Sequence, residues 1–112
     1  MKDKVILISG ADSALGRQLV SAFANLGARL ALGIRERSQM HSFQVEMHNK
    51  GVDAFIVPCD IRFEEQVIRM VHQVMHRFKR VDVLVNAAAA MGIIAPLVDY
   101  PSDAWGEVIS TH

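Results

Sequence analysis

The sequence predicts an α/β fold, a doubly wound parallel sheet with helices on both faces. Three observations predict it. Four short apolar runs recur along the chain. Amphipathic stretches with helical spacing separate them. The first run empties into a turn of small residues that opens a helix, as strand–helix–strand units do.

The run "KVILIS" at 4–9 is continuously apolar, which marks a strand covered on both faces. In "ALGRQLVSAFANLG" at 14–27, Leu15, Leu19, Ala22, Phe23 and Leu26 recur at helical spacing, and Gly27 supplies a C-terminal stop. "ARLALGI" at 28–34 is the second strand. "SQMHSFQVEMHNKG" at 38–51 is the second helix, with Phe43 and Met47 inward and Gly51 closing it. "DAFIVPCDI" at 53–61 is the third strand, and Pro58 marks its end.

"FEEQVIRMVHQVMHRFKR" at 63–80 is the strongest helical pattern. Val67, Ile68, Val71, Val74, Met75 and Phe78 form one stripe. Glu64 and Glu65 at its start and Lys79 and Arg80 at its end suit the helix dipole. "VDVLVNA" at 81–87 is the fourth strand. "MGIIAPLVDYP" at 91–101 reads as a loop bounded by Gly92 and Pro101. "PSDAWGEVISTH" at 101–112 begins another helix, with Ser102 or Asp103 as N-cap.

The chain has 112 residues, one domain or part of one, and no repeat or linker divides it. Twelve Lys and Arg balance twelve Asp and Glu, which leaves no electrostatic footprint for nucleic acid or an anionic membrane. The single Cys59 excludes an intrachain disulfide framework and fits a reducing compartment. The apolar run after Lys4 is too short for a signal-peptide core or a membrane span. The expectation is a soluble, cytoplasmic chain.

The turn "SGADSALG" at 9–16 carries the first functional signal. Unpaired amides at a helix start, approached through small side chains, form a pyrophosphate cradle. Ser9, Gly10, Ser13, Ala14, Leu15 and Gly16 supply that turn with the spacing Gly-x-x-x-Ala-x-Gly. A tight strand-to-helix turn without a ligand is the alternative reading. The second strand ends in Ile34 and Arg35, where dinucleotide folds place either an acid for the ribose or a base for a 2′-phosphate. The acid is missing and the base is present, so the lean is to NADP over NAD. A solvated charge cluster, "RER", is the alternative. Asp60 follows the third strand as a ligand contact or a helix N-cap, and Asn86 ends the fourth as a donor and acceptor or a turn residue.

In this order and spacing the segments resemble the N-terminal half of the short-chain dehydrogenase/reductase family. "SGADSALG" is similar to its Thr-Gly-x-x-x-Gly-x-Gly loop, with Ser9 for Thr and Ala14 for the second Gly. "CDI" resembles its adenine-contacting motif at Asp60 and Ile61. "DVLVNAAAA" resembles Asp-Val-Leu-Val-Asn-Asn-Ala-Gly, with Asp82, Asn86 and Ala88 matching and Ala87 and Ala89 departing. "DAWGEVIST" resembles the helix that leads to a catalytic Asn, where His112 stands here.

The resemblance implies a Rossmann-type fold, present only in its N-terminal portion, so residues 1–112 form a dinucleotide-binding domain incomplete at its C-terminus. It implies hydride transfer between a nicotinamide cofactor and a small carbonyl or alcohol substrate. It assigns the pyrophosphate to the loop from Gly10 to Gly16, the adenine to Asp60 and Ile61, and the ribose side to Asn86, Ala87 and Ala88. Pairing through the helix at Trp105 would make a homo-oligomer. The family's Ser and Tyr-x-x-x-Lys pair is not found: the only tyrosine is Tyr100, and Ala104 stands four residues on. No catalytic residue is therefore assigned. A non-catalytic dinucleotide-binding or partner-binding module, or a truncated product with "VDVLVNA" as a bare sheet edge, stay open beside the enzyme half.

Other candidates carry less. His72 and His76 lie four apart on one helix but want a third metal ligand. Cys59 reads as a small buried residue. The methionines read as core filling.

Overall fold

A computed structural model describes residues 2–87 and the backbone of 93–96. The elements run β1 (Val5–Ser9), α1 (Ala14–Asn25), β2 (Arg29–Ile34), a 3-10 turn (Arg37–Gln39), α2 (Met40–Asn49), β3 (Ala54–Pro58), α3 (Glu64–Phe78), β4 (Val83–Asn86) and β5 (Ile93–Pro96). The helix expected at 101–112 lies outside the described residues.

The sheet order is β3-β2-β1-β4-β5. β1 pairs in parallel with β2 on one side and β4 on the other, and β2 pairs in parallel with β3. The chain winds outward from β1 to β3 and then crosses to β4. The strand order reverses at β1, where open α/β sheets bind ligands beyond their carboxyl ends.

Every residue of β1 is buried, because both sheet faces are covered. Val5 and Leu7 join the core beneath α3, with Val67, Met70 and Val74. Ile6 and Ile8 join the core beneath α1 and α2, with Val20, Phe43 and Met47. A strand packed on two sides alternates between two cores, so its sequence shows no alternation of polarity.

Three expectations need correction. The segment read as a loop contains β5, which pairs antiparallel with β4 through Asn86↔Ile93 and Val83↔Pro96. "IIAP" is only four residues long, and its proline falls at the strand end, where it is tolerated. The sheet is therefore mixed, and "VDVLVNA" is flanked on both sides and is not its edge. On α1 the inward face carries Val20, whereas Ala22 and Leu26 are exposed. On α3 Met70 is buried and Met75 turns outward, a shift of the stripe by one position.

Candidate cofactor site

The carboxyl edge of the sheet is one hydrogen-bonded row. Register sets Ser9 beside Gly33 on one side and Asn86 on the other. Beyond the strands the ladder continues: the Ala11 N–H donates to the Gly33 carbonyl at 3.0 Å, and Ala87 N–H to the Ser9 carbonyl at 2.9 Å. Ser9 Oγ donates to Asn86 Oδ1 at 3.1 Å, with both residues buried.

From this edge the loop turns into α1. Gly10 has φ +66°, a left-handed conformation that favours glycine. Ser13 is the N-cap, and its Oγ accepts from the Gly16 N–H at 2.9 Å. The same hydroxyl lies 2.7 Å from the Gly10 carbonyl and 3.2 Å from the Ala87 carbonyl, so its one proton lies between two acceptors. Ser13 thus fastens the loop to the end of β4. The cap meets one first-turn amide and leaves those of Ala14 and Leu15 at the helix start.

Gly16 carries the fit to a dinucleotide. A Cβ built there would lie 2.3 Å from the Gly10 carbonyl oxygen and 2.7 Å from that of Ala11. The helix start is thus pressed directly on loop backbone, the close approach that a pyrophosphate cradle requires. Ala14, the departure from the family loop, is exposed. Leu15 is half-buried against the core.

A brace missed by sequence reading holds the loop from behind. Arg17 donates to Glu46 through Nε at 2.7 Å and Nη2 at 2.9 Å, and its Nη1 donates to the Asp12 carbonyl. These bonds hold the Glu46 carboxyl down at about 2. Arg17 also lies over the Phe43 ring at 5.5 Å. The partners are too far apart in sequence for any periodicity to signal them.

The second part of the site is a cavity of about 440 Å³ beyond β2 and β3. Arg35, Arg37, Arg62 and Arg69 line it against Glu36 and Asp60. Arg35 reaches Asp60 at 3.4 Å and Glu36 at 3.8 Å. Asp60 is no helix cap: Phe63 holds the N-cap position of α3 and makes no side-chain cap bond. The Asp60 carboxylate instead accepts from Arg62, which holds its pKa down at about 2. Ile61 packs against the core beneath α3.

Asp82 lies at the far end of β4, where it accepts from the Val5 N–H at 2.8 Å and from Arg80. It ties β4 to β1 and is remote from the loop in register. Ala88, Ala89, Trp105 and His112 lie outside the described residues. His72 and His76 are exposed on a shallow groove beside β3, and no group of three metal-ligating side chains occurs among the described residues. No described helix is long and apolar enough to cross a membrane. Cys59 is a buried free thiol whose pKa is pushed up to about 11 by burial and by Asp60.

The chain is similar to known oxidoreductases. An aldehyde reductase of Arabidopsis thaliana, described as NADPH-dependent and chloroplastic, is 35% identical over 96 residues, 80% of this chain and 33% of that protein. An uncharacterized oxidoreductase of Staphylococcus saprophyticus is 30% identical over the whole chain and 44% of its own length. The chain thus spans less than half the length of these curated relatives. Among solved structures, an NAD+-bound xylitol dehydrogenase is similar with TM-score 0.72 and 30% identity, over 98% of this chain and 46% of that one. An actinorhodin polyketide ketoreductase with NADPH gives TM-score 0.69 and 29% identity, over 77% of this chain and 34% of that one. The sequence profile described as short chain dehydrogenase matches residues 4–112, and the chain belongs to that family.

Proposed function

We infer that this chain is the cofactor-binding half of an NAD(P)-dependent oxidoreductase acting on a small carbonyl or alcohol substrate. When bound, the nicotinamide cofactor supplies or accepts the hydride. The chain's own residues bind and orient it. Gly10 and Gly16 bring backbone close to the pyrophosphate, and the amides of Ala14 and Leu15 receive its charge. Ser13 fixes the loop against Ala87. Asp60 and Ile61 border the adenine end, and Asn86, Ala87 and Ala88 the ribose side. The Tyr and Lys that move the proton in this family are not among the 112 residues, so no proton step is assigned here. The single cysteine, kept as a buried thiol, supports a reducing, cytoplasmic setting.

NADP is the favoured cofactor. Arg35 carries this reading: it stands one residue past β2, at a cavity with four arginines and two acids, where an acid for the ribose hydroxyls would otherwise sit. Relatives and solved structures of the family include both NADPH and NAD forms. The test is titration of the full-length protein with each reduced cofactor. Arg35→Ala should weaken NADPH binding about tenfold more than NADH binding. Equal loss of both would remove the 2′-phosphate assignment.

A further inference from the structure

Asp60 is 9% exposed, and its main-chain N–H donates to Gln66 Oε1 at 2.9 Å. Its carboxylate is occupied by arginine. Oδ1 accepts from the Arg62 main-chain N–H at 3.1 Å and from Arg62 Nε at 3.0 Å. Oδ2 accepts from Arg62 Nη2 at 2.6 Å and lies 3.4 Å from Arg35 Nε. Three N–H groups of Arg62 bond this one carboxylate, and the Arg35 guanidinium pairs with it as an ion at longer range. The carboxylate is a hub that holds two guanidinium groups together.

Both groups remain available to a ligand. The side chains of Arg35 and Arg62 are 56% and 62% exposed, and both line the cavity beyond β2 and β3. Asp60 engages Nε and Nη2 of Arg62, which leaves Nη1 and the outer proton of Nη2 to donate elsewhere. Arg37 and Arg69 add charge to the same walls, against Glu36 and Asp60. A neutral ribose hydroxyl has no use for this much positive charge. A phosphate dianion does, because its oxygens accept from several guanidinium N–H groups at once.

We propose that Arg62, joined to Arg35 through Asp60, is the second arginine of a clamp for the 2′-phosphate of NADPH, and that Asp60 is the positioning residue of that clamp. The proposal rests on the NADPH reading of Arg35 and adds a residue and a positioning role for Asp60. Arg62 sets the strength of discrimination between the two cofactors. Asp60 acts on the phosphate through the arginines.

The test is calorimetric binding to the full-length protein. The probes are adenosine 2′,5′-bisphosphate and adenosine 5′-phosphate. Urea midpoints show that each variant is folded. Arg62→Gln should weaken the bisphosphate about tenfold and leave the monophosphate within about twofold. Arg62→Lys, which keeps the charge and loses the fork, should fall between. Asp60→Asn should lower the bisphosphate-to-monophosphate preference. If Arg62→Gln weakens both adenosine probes equally, or neither, the clamp is overturned. If Asp60→Asn leaves the bisphosphate-to-monophosphate preference unchanged, the role given to Asp60 is overturned. Loss of bisphosphate preference in Arg35→Ala but not in Arg62→Gln keeps the NADPH reading and removes the clamp. No loss in either variant removes both.

Discussion

Gly16→Ala is the sharpest perturbation of the cradle. The added methyl carbon would sit 2.3 Å from the Gly10 carbonyl oxygen, where ordinary contact begins at 3.4 Å. Something must therefore move by about 1 Å. Neither side yields cheaply. The obstructing atoms are main chain, and the Ala11 N–H next to them is bonded to the Gly33 carbonyl at the edge of the sheet. The relief available is a shift of the α1 start away from the loop, which also strains the Ser13 cap on the Gly16 N–H. Overpacking of this kind costs about 1–3 kcal/mol. The same shift withdraws the first-turn amides from the pyrophosphate, so affinity should fall by tenfold or more, about 1.4 kcal/mol per factor of ten. Urea denaturation and fluorescence titration with NADPH, both on the full-length protein, measure the two losses. Gly33→Ala is the internal control. Its nearest obstruction, at 2.9 Å, is the sulfur of Met70, the end of a flexible side chain, so stability should fall less and cofactor affinity little. A Gly16→Ala protein with unchanged midpoint and unchanged affinity would refute the close approach of helix and loop.

The remaining predictions concern the cap, the brace and the thiol. Ser13→Ala should lower the urea midpoint by the equivalent of about 1 kcal/mol with m unchanged, because the Gly16 amide loses its cap. Glu46 has a native pKa of about 2, down from 4.5, through its bonds to Arg17. A depressed carboxyl pKa stabilises fully above the unfolded value and loses that contribution as pH falls toward the native value. The midpoints of wild type and Glu46→Gln should therefore differ at neutral pH and converge as pH drops from about 4.5 to about 2. Cys59, with its thiol pushed up to about 11, should resist alkylation at neutral pH in the native protein and react readily in urea. Fast native labelling would mean that the end of β3 opens.

The four parallel strands were legible because strands buried on both faces are continuous apolar runs, as all five residues of β1 show. β5 was hidden by its length and by the Gly and Pro around it, which outweighed "IIAP" as punctuation. The strand-to-helix turn at 9–16 was legible because a run of small residues between strand and helix is a local pattern. The brace was not, since Arg17 and Glu46 lie on different helices and meet only when α1 and α2 share a face of the sheet. Arg62 was invisible for another reason. Two residues after an aspartate, it belongs to no motif or periodic stripe, and Asp60 itself reads as a ligand contact or as a cap for the helix that follows. Only the structure shows Phe63 in the cap position and the carboxylate turned back onto Arg62.

These placements also explain how the loop accommodates Ala14. A cradle makes two separate demands on its small residues: the backbone must turn, and the helix must come close. Gly10 meets the first with a positive φ, and Gly16 meets the second with its bare Cα. Ala14 meets neither demand. It is the first residue of α1, exposed, and not among the described non-glycine residues with positive φ, which are Asp3 and Lys79. At a helical φ the methyl carries no backbone strain, so the fold itself accepts it. In the proposed cradle the cost of Ala14 would fall on the ligand alone, as space taken from the pyrophosphate, so the protein keeps its fold and its loop geometry with the methyl in place.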